Sequence, residues 1–396
     1  MKVRLYSVAA LAVAFALFPA SSSAQHYNQK NLISNKTQPP NPDGSTVRVD
    51  PNLKNPWGIT RSSGSPWWIN NNGTGTSSLY DGTGKPISIF ADPAGSFDNF
   101  VIVPPPGFAT PGTTSTPTGV VFNGSSTDFL LNKGTPMGKS AVFIFVTEDG
   151  TISGWNPQVK IPKGGKAPSI DAVLEVDNSD NGSGNGAVYK GATIATSGPD
   201  RFLYVTNFRS GKVEIYNTNF GRVNFPGAFI DASIPEGFAP FNIQNIGGNL
   251  LVTYAKQDGA RHDDVAGFGN GYVDIYSPKG ELEGQLQHGS WFNSPWGVVW
   301  TPRDFGQFSN VILVGNFGSG FIAAFNGFTH EFIGLVLNPD NSRLTIDGLW
   351  SLTFGNDAAA GPLATTLYFS AGPNHENDGL FGTLTPVASE QDGSVE

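Results

Sequence analysis

Residues 207–217 read NFRSGKVEIYN, and this segment predicts the fold because the chain repeats it. Residues 316–326 read NFGSGFIAAFN and residues 71–81 read NNGTGTSSLYD, with asparagine, glycine and an aromatic residue at the same offsets. Shorter copies are GTISGWN from Gly150, GYVDIYS from Gly271 and GLFGTLT from Gly379. The glycine suits a hairpin turn with a positive φ, and the alternating residues after it suit a strand.

Further strands accompany these six hairpins. A short apolar strand precedes each one: PWGIT at 56, PTGVV at 117, YKGAT at 189, FNIQN at 241, PWGVV at 295 and LWSLT at 349. A second strand leads into each turn, and a fourth, outer strand follows several copies, as in ISIF at 87 and EFIG at 331. Four antiparallel strands in repeats 49 to 75 residues apart are typical of propeller blades. We therefore predict an all-β, six-bladed β-propeller.

The sixth copy ends after its third strand, so its fourth strand must come from elsewhere. Residues 30–34, KNLIS, lie near the N-terminus and could pair beside it. We predict that this N-terminal strand closes the last blade, which also removes an exposed sheet edge. A β-sandwich or two separate all-β domains remain the alternatives.

The two ends of the chain lie outside this predicted domain. Lys2 and Arg4 precede an apolar run, and Ser22-Ser23-Ala24 supplies small residues, a pattern typical of a signal peptide cleaved after Ala24. We predict a signal peptide at 1–24, one propeller domain at 25–386 and a flexible tail at 387–396. No later apolar segment approaches the roughly 20 residues of a membrane span. We therefore expect an exported protein, periplasmic or extracellular, without a membrane anchor.

Composition excludes several functional classes. The chain has no cysteine, which excludes disulfides, thiol catalysis and cysteine-ligated metals. Its net charge of -9 argues against nucleic-acid partners, which need basic surfaces. Only 14% of residues are charged, whereas 50 are glycine and 29 are proline, as expected for many strands joined by tight turns.

Several runs resemble a family of exported, mostly bacterial β-propeller proteins of unassigned function, some of which carry a PEP-CTERM sorting signal. These runs are NLISN, DPNLKNPWGI, NNGTGTSSLYD, AVYKGATIA and LYVTNFRSGKVEIYN. The resemblance covers nearly all of the chain after Ala24. It implies the propeller fold and the exported location, and it implies no catalytic residues. The C-terminal LTPVASEQDGSVE differs from the anchored members because it has no hydrophobic segment and no basic tail, which favours a soluble form.

Two polar loops should lie on the propeller face where ligands and catalytic groups usually gather. They lengthen the hairpins of blades four and six, and their candidate residues are Asp258, His262, Asp263, Asp264, His375, Glu376 and Asp378. Imidazole and carboxylate groups suit Zn²⁺ or Mn²⁺, and a histidine could act as a general base. The alternative is that both loops are solvated and bind nothing, since no specific metal-binding spacing is present.

A third loop resembles the opening of a calcium site. Asp177, Ser179 and Asn181 offer oxygen ligands at alternate positions, followed by Gly182. The twelfth position is Val188, where an EF-hand requires glutamate, so only a simpler calcium site remains open. The alternative is a turn without an ion.

The large aromatic residues are expected to have structural roles. Trp57, Trp296 and Trp350 lie on the first strands, where we expect their rings to fill the wedges between blades. The aromatic residue that ends each hairpin recurs from copy to copy, which favours packing over catalysis.

Two functions remain open, and the sequence does not identify a reaction. The first is a noncatalytic extracellular module that binds a small molecule, a glycan or a protein through its loop-bearing face. The second is a metal-dependent hydrolase, of lactonase or esterase type, with a site over the central channel. The two histidine- and carboxylate-containing loops favour the second function, but the argument rests on fold-level analogy.

Overall fold

The protein is described by a computed structural model covering residues 26–88, 99–133, 138–159, 169–356 and 364–388. The predicted signal peptide lies outside the described residues, as do residues 389–396 of the predicted tail. Within the described part, the regular structure consists of β-strands and one short 3₁₀ helix, Gly306–Phe308.

The strands form six sheets of propeller blades. The chain starts with β1 (Tyr27–Ser34) and β2 (Arg48–Val49). Blade 1 contains β3 (Pro56–Thr60), β4 (Trp67–Asn71), β5 (Thr76–Tyr80) and β6 (Phe100–Ile102). Blade 2 contains β7 (Pro117–Phe122), β10 (Phe143–Thr147), β11 (Thr151–Trp155) and β12 (Val173–Asp177), with a small ribbon of β8 (Leu130–Leu131) and β9 (Lys139–Ser140) beside it. Blade 3 contains β13 (Tyr189–Ser197), β14 (Asp200–Asn207), β15 (Lys212–Asn217) and β16 (Arg222–Val223).

The second half of the ring follows the same plan. Blade 4 contains β17 (Phe238–Ile246), β18 (Asn249–Lys256), β19 (Gly271–Tyr276) and β20 (Leu282–Gln285). Blade 5 contains β21 (Pro295–Trp300), β22 (Val311–Asn316), β23 (Ile322–Asn326) and β24 (Phe332–Leu335). Blade 6 contains β25 (Leu349–Phe354), β26 (Leu367–Ala371) and β27 (Leu380–Pro386), to which β1 is added. The first strands of successive blades contact one another in order, and β25 contacts β3, so the ring is closed. The prediction of an all-β, six-bladed propeller is confirmed.

The N-terminal strand closes the last blade, as predicted. β1 pairs antiparallel with β27 from Tyr27 opposite Pro386 to Ser34 opposite Leu380. The strand is longer than the predicted segment 30–34, because Tyr27 is also anchored: its hydroxyl donates a hydrogen bond of 2.8 Å to the Phe305 carbonyl oxygen. β2 adds a short parallel pairing outside β1.

Glycine in the first strands lets neighbouring blades approach closely around the channel. A Cβ atom at Gly58 would lie 2.6 Å from the Thr118 carbonyl oxygen of the next blade. One at Gly297 would lie 2.5 Å from the Trp350 carbonyl oxygen. Both distances are too short for a side chain, which explains the glycine in the two PWG motifs of the repeat.

The hairpin glycines serve two different purposes. Gly75, Gly150 and Gly211 have φ values of 69°, 83° and 67°, as predicted for the turns. Gly320 also has a positive φ, of 70°. In blades 4 and 6 the loop between the second and third strands is longer, and Gly271 and Gly379 do not form its turn. A Cβ atom on Gly271 would overlap Pro295, and one on Gly379 would overlap Leu53.

Among the described residues, the outer strand of blade 1 is Phe100–Ile102. Residues 89 and 90 of the predicted ISIF strand lie outside the described residues, and the Ile87 amide donates a hydrogen bond to the Leu79 carbonyl oxygen. One detail of the predicted packing was wrong. The tryptophans of the first strands meet one another in the channel instead of filling separate wedges: the rings of Trp57 and Trp350 stack with centroids 3.5 Å apart. The aromatic residues that end the hairpins are buried as expected: Tyr80, Trp155, Tyr216, Tyr276 and Phe325.

Candidate functional site

The loops between the second and third strands of the blades meet at one end of the channel. In each blade, the residue directly after the second strand belongs to this layer: Asn72, Glu148, Phe208, Gln257, Phe317 and Gly372. We call this end the channel mouth and define it by Glu148, Lys190, residues 262–264 and Glu376.

Aromatic rings close the channel beside the mouth. Trp57, Phe208, Phe241, Trp296 and Trp350 form one buried cluster, with the Trp57 and Trp296 rings edge to face at 6.0 Å. The rings come from blades 1, 3, 4, 5 and 6, so the cluster fills the channel across its width. A ligand at the mouth would therefore approach from the loop-bearing face.

Lys190 is the centre of a polar network at the mouth. It lies on the first strand of blade 3, and its side chain is 2% exposed. Its ammonium donates a short hydrogen bond to Glu148 Oε1 and lies 3.4 Å from Asp263 Oδ1. It also lies 5.2 Å from the centroid of the Trp57 ring, a cation–π contact. Burial lowers the pKa of Lys190, but the carboxylates of Glu148 and Asp263 raise it overall, so the ammonium stays charged.

The network extends over four blades. Asn72 of blade 1 donates a hydrogen bond of 2.6 Å to Glu148 Oε2 of blade 2. On the other side, His262 Nδ1 lies 2.9 Å from Asp263 Oδ1 in blade 4. This contact raises the pKa of His262 and lowers that of Asp263 to about 2. Glu148, His262 and Asp263 each present one potential metal-ligand atom, and these atoms lie within 4.8 Å of one another.

Asp264 and Glu376 bring two further carboxyl groups to the mouth, and neither forms an ion pair with a described residue. Asp264 Oδ2 is buried and lies outside hydrogen-bond distance of the described residues. The fully buried hydroxyl of Ser294 lies beside the Asp264 carboxyl and lowers its pKa. Burial raises the pKa of Asp264, and Lys190 lowers it only in part.

Glu376 is held towards this cluster by a left-handed turn. Asn374, His375 and Glu376 have consecutive φ values of 58°, 54° and 64°, which L-residues rarely adopt. Strained backbone of this kind persists where the surrounding structure enforces it, and it clusters at functional sites. Burial raises the pKa of Glu376 to about 7, and the negative charge of Glu148 adds to the shift. The Glu376 carboxyl therefore changes charge near neutral pH.

A cleft of about 430 Å³ opens beside the mouth on the same face. Its lining includes Glu148 and His262 of the network, together with Phe108, Thr116 and Arg209 from blades 1 to 3. The Phe108 ring is half exposed. The cleft thus offers apolar and hydrogen-bonding surface next to the charged groups.

The structure brings together some of the predicted residues and separates others. His262, Asp263, Asp264 and Glu376 converge at the mouth, although they come from two blades. Asp258 accepts hydrogen bonds from the backbone amides of residues 262 and 263 and therefore shapes the loop.

Two residues of the blade 6 loop lie away from the network. Asp378 forms an ion pair with Lys36, 2.5 Å from its Nζ atom, and receives hydrogen bonds from Asn35 and Asn374. His375 is exposed. Of the pair of histidines proposed for this face, only His262 lies in the network.

In the predicted calcium loop, the Asp177 carboxylate already has protein partners. Its Oδ2 atom accepts a hydrogen bond of 2.8 Å from the Gly107 amide, and its Oδ1 atom accepts from the Ser179 amide and hydroxyl. Asn181 is exposed. These contacts form a turn stabilised by the aspartate side chain.

Sequence reasoning missed the centre of the site. Lys190 is the second residue of the YKGAT strand, at the position that Trp57 occupies in PWGIT and Trp296 in PWGVV. A charged residue at a position that is tryptophan in three other copies of the repeat was the available signal. Glu148 directly follows the second strand of its blade, and nothing in its local sequence distinguishes it from a solvated turn residue.

The described residues contain no helix long and apolar enough to cross a membrane.

Comparisons with known proteins reveal relatives by sequence and by fold. No family model matches the chain. Uncharacterized protein R648 of Acanthamoeba polyphaga mimivirus is 30% identical over 362 residues, which cover 89% of this chain and 78% of R648. Uncharacterized protein L690 of the same virus is 28% identical over 344 residues, which cover 85% of this chain and 82% of L690.

A solved structure of a protein of unknown function from Bacteroides thetaiotaomicron has a TM-score of 0.50 and 9% identity, covering 90% of this chain and 76% of that one. At this identity the similarity concerns the fold alone. The resemblance to a bacterial family stays a prediction. The chain belongs to the family of uncharacterized protein R648 of Acanthamoeba polyphaga mimivirus.

Proposed function

We propose that this protein is an exported binding module that holds a small ligand with a positively charged group at the channel mouth. The observation that carries the proposal is the pair of carboxyl groups of Asp264 and Glu376, neither of which forms an ion pair within the described part of the chain. Glu148 and Asp263 already share the ammonium of Lys190. A cationic group between Asp264 and Glu376 would supply the missing charge, and the adjacent cleft could receive the rest of the ligand.

The chemistry of the two carboxyl groups favours a ligand with an ammonium or guanidinium group. Such a group can donate several hydrogen bonds, and buried Asp264 Oδ2 has a free acceptor position. A nearby positive charge favours the ionised form of a carboxyl group. Binding would therefore release the proton that Glu376 holds at or below about pH 7.

Binding of a small cation should strengthen as the pH rises from 6 to 8. Because the pKa of Glu376 is about 7, the group is mostly neutral at pH 6 and mostly ionised at pH 8. We expect the affinity for agmatine to rise about fivefold to tenfold over this range and to weaken at least tenfold in Glu376→Gln, which should keep only the smaller pH dependence that comes from His262. Isothermal titration calorimetry at both pH values measures this.

Glu331→Gln is a matched control, because Glu331 lies in the turn before the outer strand of blade 5 and is exposed. This variant should bind agmatine as the unmodified protein does. The proposal is wrong if agmatine does not bind, or if Glu376→Gln keeps the same affinity and pH dependence.

A metal-dependent hydrolase is the second proposal, favoured by the proximity of Glu148, His262 and Asp263. Zn²⁺ or Mn²⁺ would be held by their imidazole and carboxylate groups and would lower the pKa of a bound water, which would then serve as the nucleophile. Such an ion would compete with the Lys190 ammonium for the same carboxylates. Titration with both metals separates the proposals, because only the hydrolase requires Zn²⁺ or Mn²⁺ to bind, and His262→Ala should abolish that metal binding.

A calcium ion at the Asp177 loop remains a separate proposal. It requires an ion to replace the hydrogen bonds that Ser179 and Gly107 donate to the carboxylate. Ca²⁺ in the same titration tests it, since Asp177→Asn should remove any calcium-dependent rise in melting temperature.

We further propose that export removes residues 1–24. Lys2, Arg4, the apolar run and the small residues before Gln25 support a cleaved signal peptide. Cleavage after Ala24 would leave β1 intact, since that strand begins at Tyr27. Expression with the native N-terminus in a bacterial host should yield exported protein whose intact mass corresponds to residues 25–396. Ala24→Asp should block this cleavage, and a full-length mass for the unmodified protein would contradict the proposal.

A further inference from the structure

Blade 3 has an incomplete outer edge. Its outer strand β16 contains two residues and pairs only with Ile215 and Tyr216 of the six-residue β15. The Asn217 amide donates to the Gly221 carbonyl oxygen on this outer side, and alternate residues of a strand point the same way. The backbone N–H and C=O groups of Val213 therefore face the outer edge beyond the end of β16.

In blades 4 and 5, the corresponding position forms a backbone hydrogen bond. In blade 4, the Leu286 amide donates a hydrogen bond of 2.9 Å to the Val273 carbonyl oxygen. In blade 5, the Val336 amide donates one of 3.0 Å to the Ile322 carbonyl oxygen. Val273 and Ile322 occupy the position of Val213 in the repeat, two residues after the hairpin glycine. No described residue makes the corresponding backbone hydrogen bond to Val213 in blade 3.

A groove of about 680 Å³ lies along this open edge. One wall is the edge of β15 from Lys212 to Ile215, and the other is the crossover to blade 4, residues 224–230. Phe225, Phe229 and Ile230 give the crossover wall an apolar surface, and Ile230 is 66% exposed. The crossover thus leaves room beside the strand where other blades have an outer strand.

The charges around the groove favour an acidic occupant. Lys212 is exposed and forms no ion pair with any described residue. Arg222 is 57% exposed and lies 3.0 Å from Glu214 Oε1. The Glu214 carboxylate is 3% exposed, so its charge is compensated inside the blade by Arg222 and by hydrogen bonds from Tyr189 and Tyr216. The accessible charged side chains of the groove are therefore positive.

We propose that an extended acidic peptide segment of a partner protein adds to blade 3 as an extra strand along Lys212–Glu214. Its backbone donates a hydrogen bond to the Val213 carbonyl oxygen and accepts one from the Val213 amide, at the usual strand spacing of about 4.8 Å. Its carboxylates pair with Lys212 and Arg222, and its apolar side chains contact Phe229 and Ile230. This surface lies outside the channel mouth and does not depend on the function proposed there.

The test uses a fluorescein-labelled peptide of three valine–glutamate repeats and the full-length protein. Fluorescence polarisation should show saturable binding, and hydrogen–deuterium exchange at the Val213 amide should slow when the peptide is bound. Lys212→Glu should weaken binding at least tenfold, and a valine–lysine peptide should bind at least tenfold more weakly. Lys139→Glu, an exposed lysine of blade 2, is the matched control and should leave binding unchanged.

Val213→Pro gives an independent check, since proline removes the outward N–H and is tolerated on strand edges. If this variant does not fold, Lys212→Glu and the exchange of the Val213 amide decide the matter. Peptide binding that Lys212→Glu leaves unchanged, or unaltered exchange at Val213, would overturn the proposal. Protection of Val213 that increases with protein concentration in the absence of peptide would overturn it in favour of a second copy of this chain. Glu376→Gln should not affect peptide binding.

Discussion

Replacing Lys190 with methionine should lower the free energy of unfolding by about 3–5 kcal/mol at pH 7, because removing one partner of a buried ion pair leaves an uncompensated charge. Glu148 would lose its ion-pair partner, and its side chain is only 11% exposed. Methionine has a similar length and can keep contact with the Trp57 and Phe241 rings, so the loss would come mainly from electrostatics. Urea unfolding followed by tryptophan fluorescence measures the change.

The double variant Lys190→Met with Glu148→Gln separates charge from packing. Neutralising both partners should recover most of the loss, since a buried pair often contributes little beyond a neutral replacement. If the single variant lowers the free energy of unfolding by less than about 1 kcal/mol, Lys190 and Glu148 do not act as a buried charge pair. If the double variant is as unstable as the single one, lost packing is the cause.

The pH dependence follows from the raised pKa of Lys190. A group whose pKa is higher in the folded than in the unfolded protein contributes its full stability at a pH below its unfolded-state pKa, which is about 10.4 for lysine. That contribution is lost as the pH rises through the folded-state pKa. The contribution of Lys190 is therefore complete at pH 7. The difference between the unmodified protein and Lys190→Met should shrink as the pH rises above the unfolded-state pKa of lysine, towards the raised folded-state pKa at which the ammonium loses its proton.

Removing the closing strand should have a comparable or larger effect. A variant that begins at Lys36 lacks Tyr27 and Ile33, which are 1% and 0% exposed. Deleting each large buried side chain costs about 2–5 kcal/mol, and a typical domain has only about 5–15 kcal/mol of stability. The edge of β27 would also become unpaired and open to aggregation. We expect this variant to lose its cooperative melting transition or to aggregate.

A variant that begins at Gln25 is the matched control and should melt as the unmodified protein does. Adding a synthetic peptide of residues 25–35 should partly restore the folded state of the shortened variant, since the missing strand is a single edge segment. A shortened variant with an unchanged melting temperature would contradict the role of β1 in closing the ring.

Much of the fold could be predicted because the repeat is visible in the local sequence. The hairpin that ends in NFRSGKVEIYN shows its turn glycine and its alternating strand directly, and six copies give the number of blades. The blade 1 outer strand could not be located in the same way. Outer strands are short and partly exposed, so both ISIF and the segment Phe100–Ile102 are compatible with their composition.

The candidate site was less predictable than the fold. His262, Asp263 and Asp264 could be proposed because three polar residues stand together in one inserted loop. Their orientation could not, since it depends on Asp258 fastening the loop and on Lys190 attracting one carboxylate. His375, like His262, is a histidine in an inserted polar loop, but its side chain is exposed.

The repeat, the six blades and the loops that carry titratable groups follow from the sequence alone, because each depends on residues close together in the chain. The N-terminal closing strand could also be predicted, because the sixth copy of the repeat lacks a fourth strand of its own. Which charged groups meet depends on the tertiary structure. Glu148, Lys190, Asp263 and Glu376 belong to four different blades and come together because ring closure directs their loops and strands to one channel mouth. The open edge at Val213 also became visible only in three dimensions, since it depends on where β16 ends beside β15. Local spacing determines strands and turns, whereas the position of one blade relative to another determines the charges that a buried site brings together.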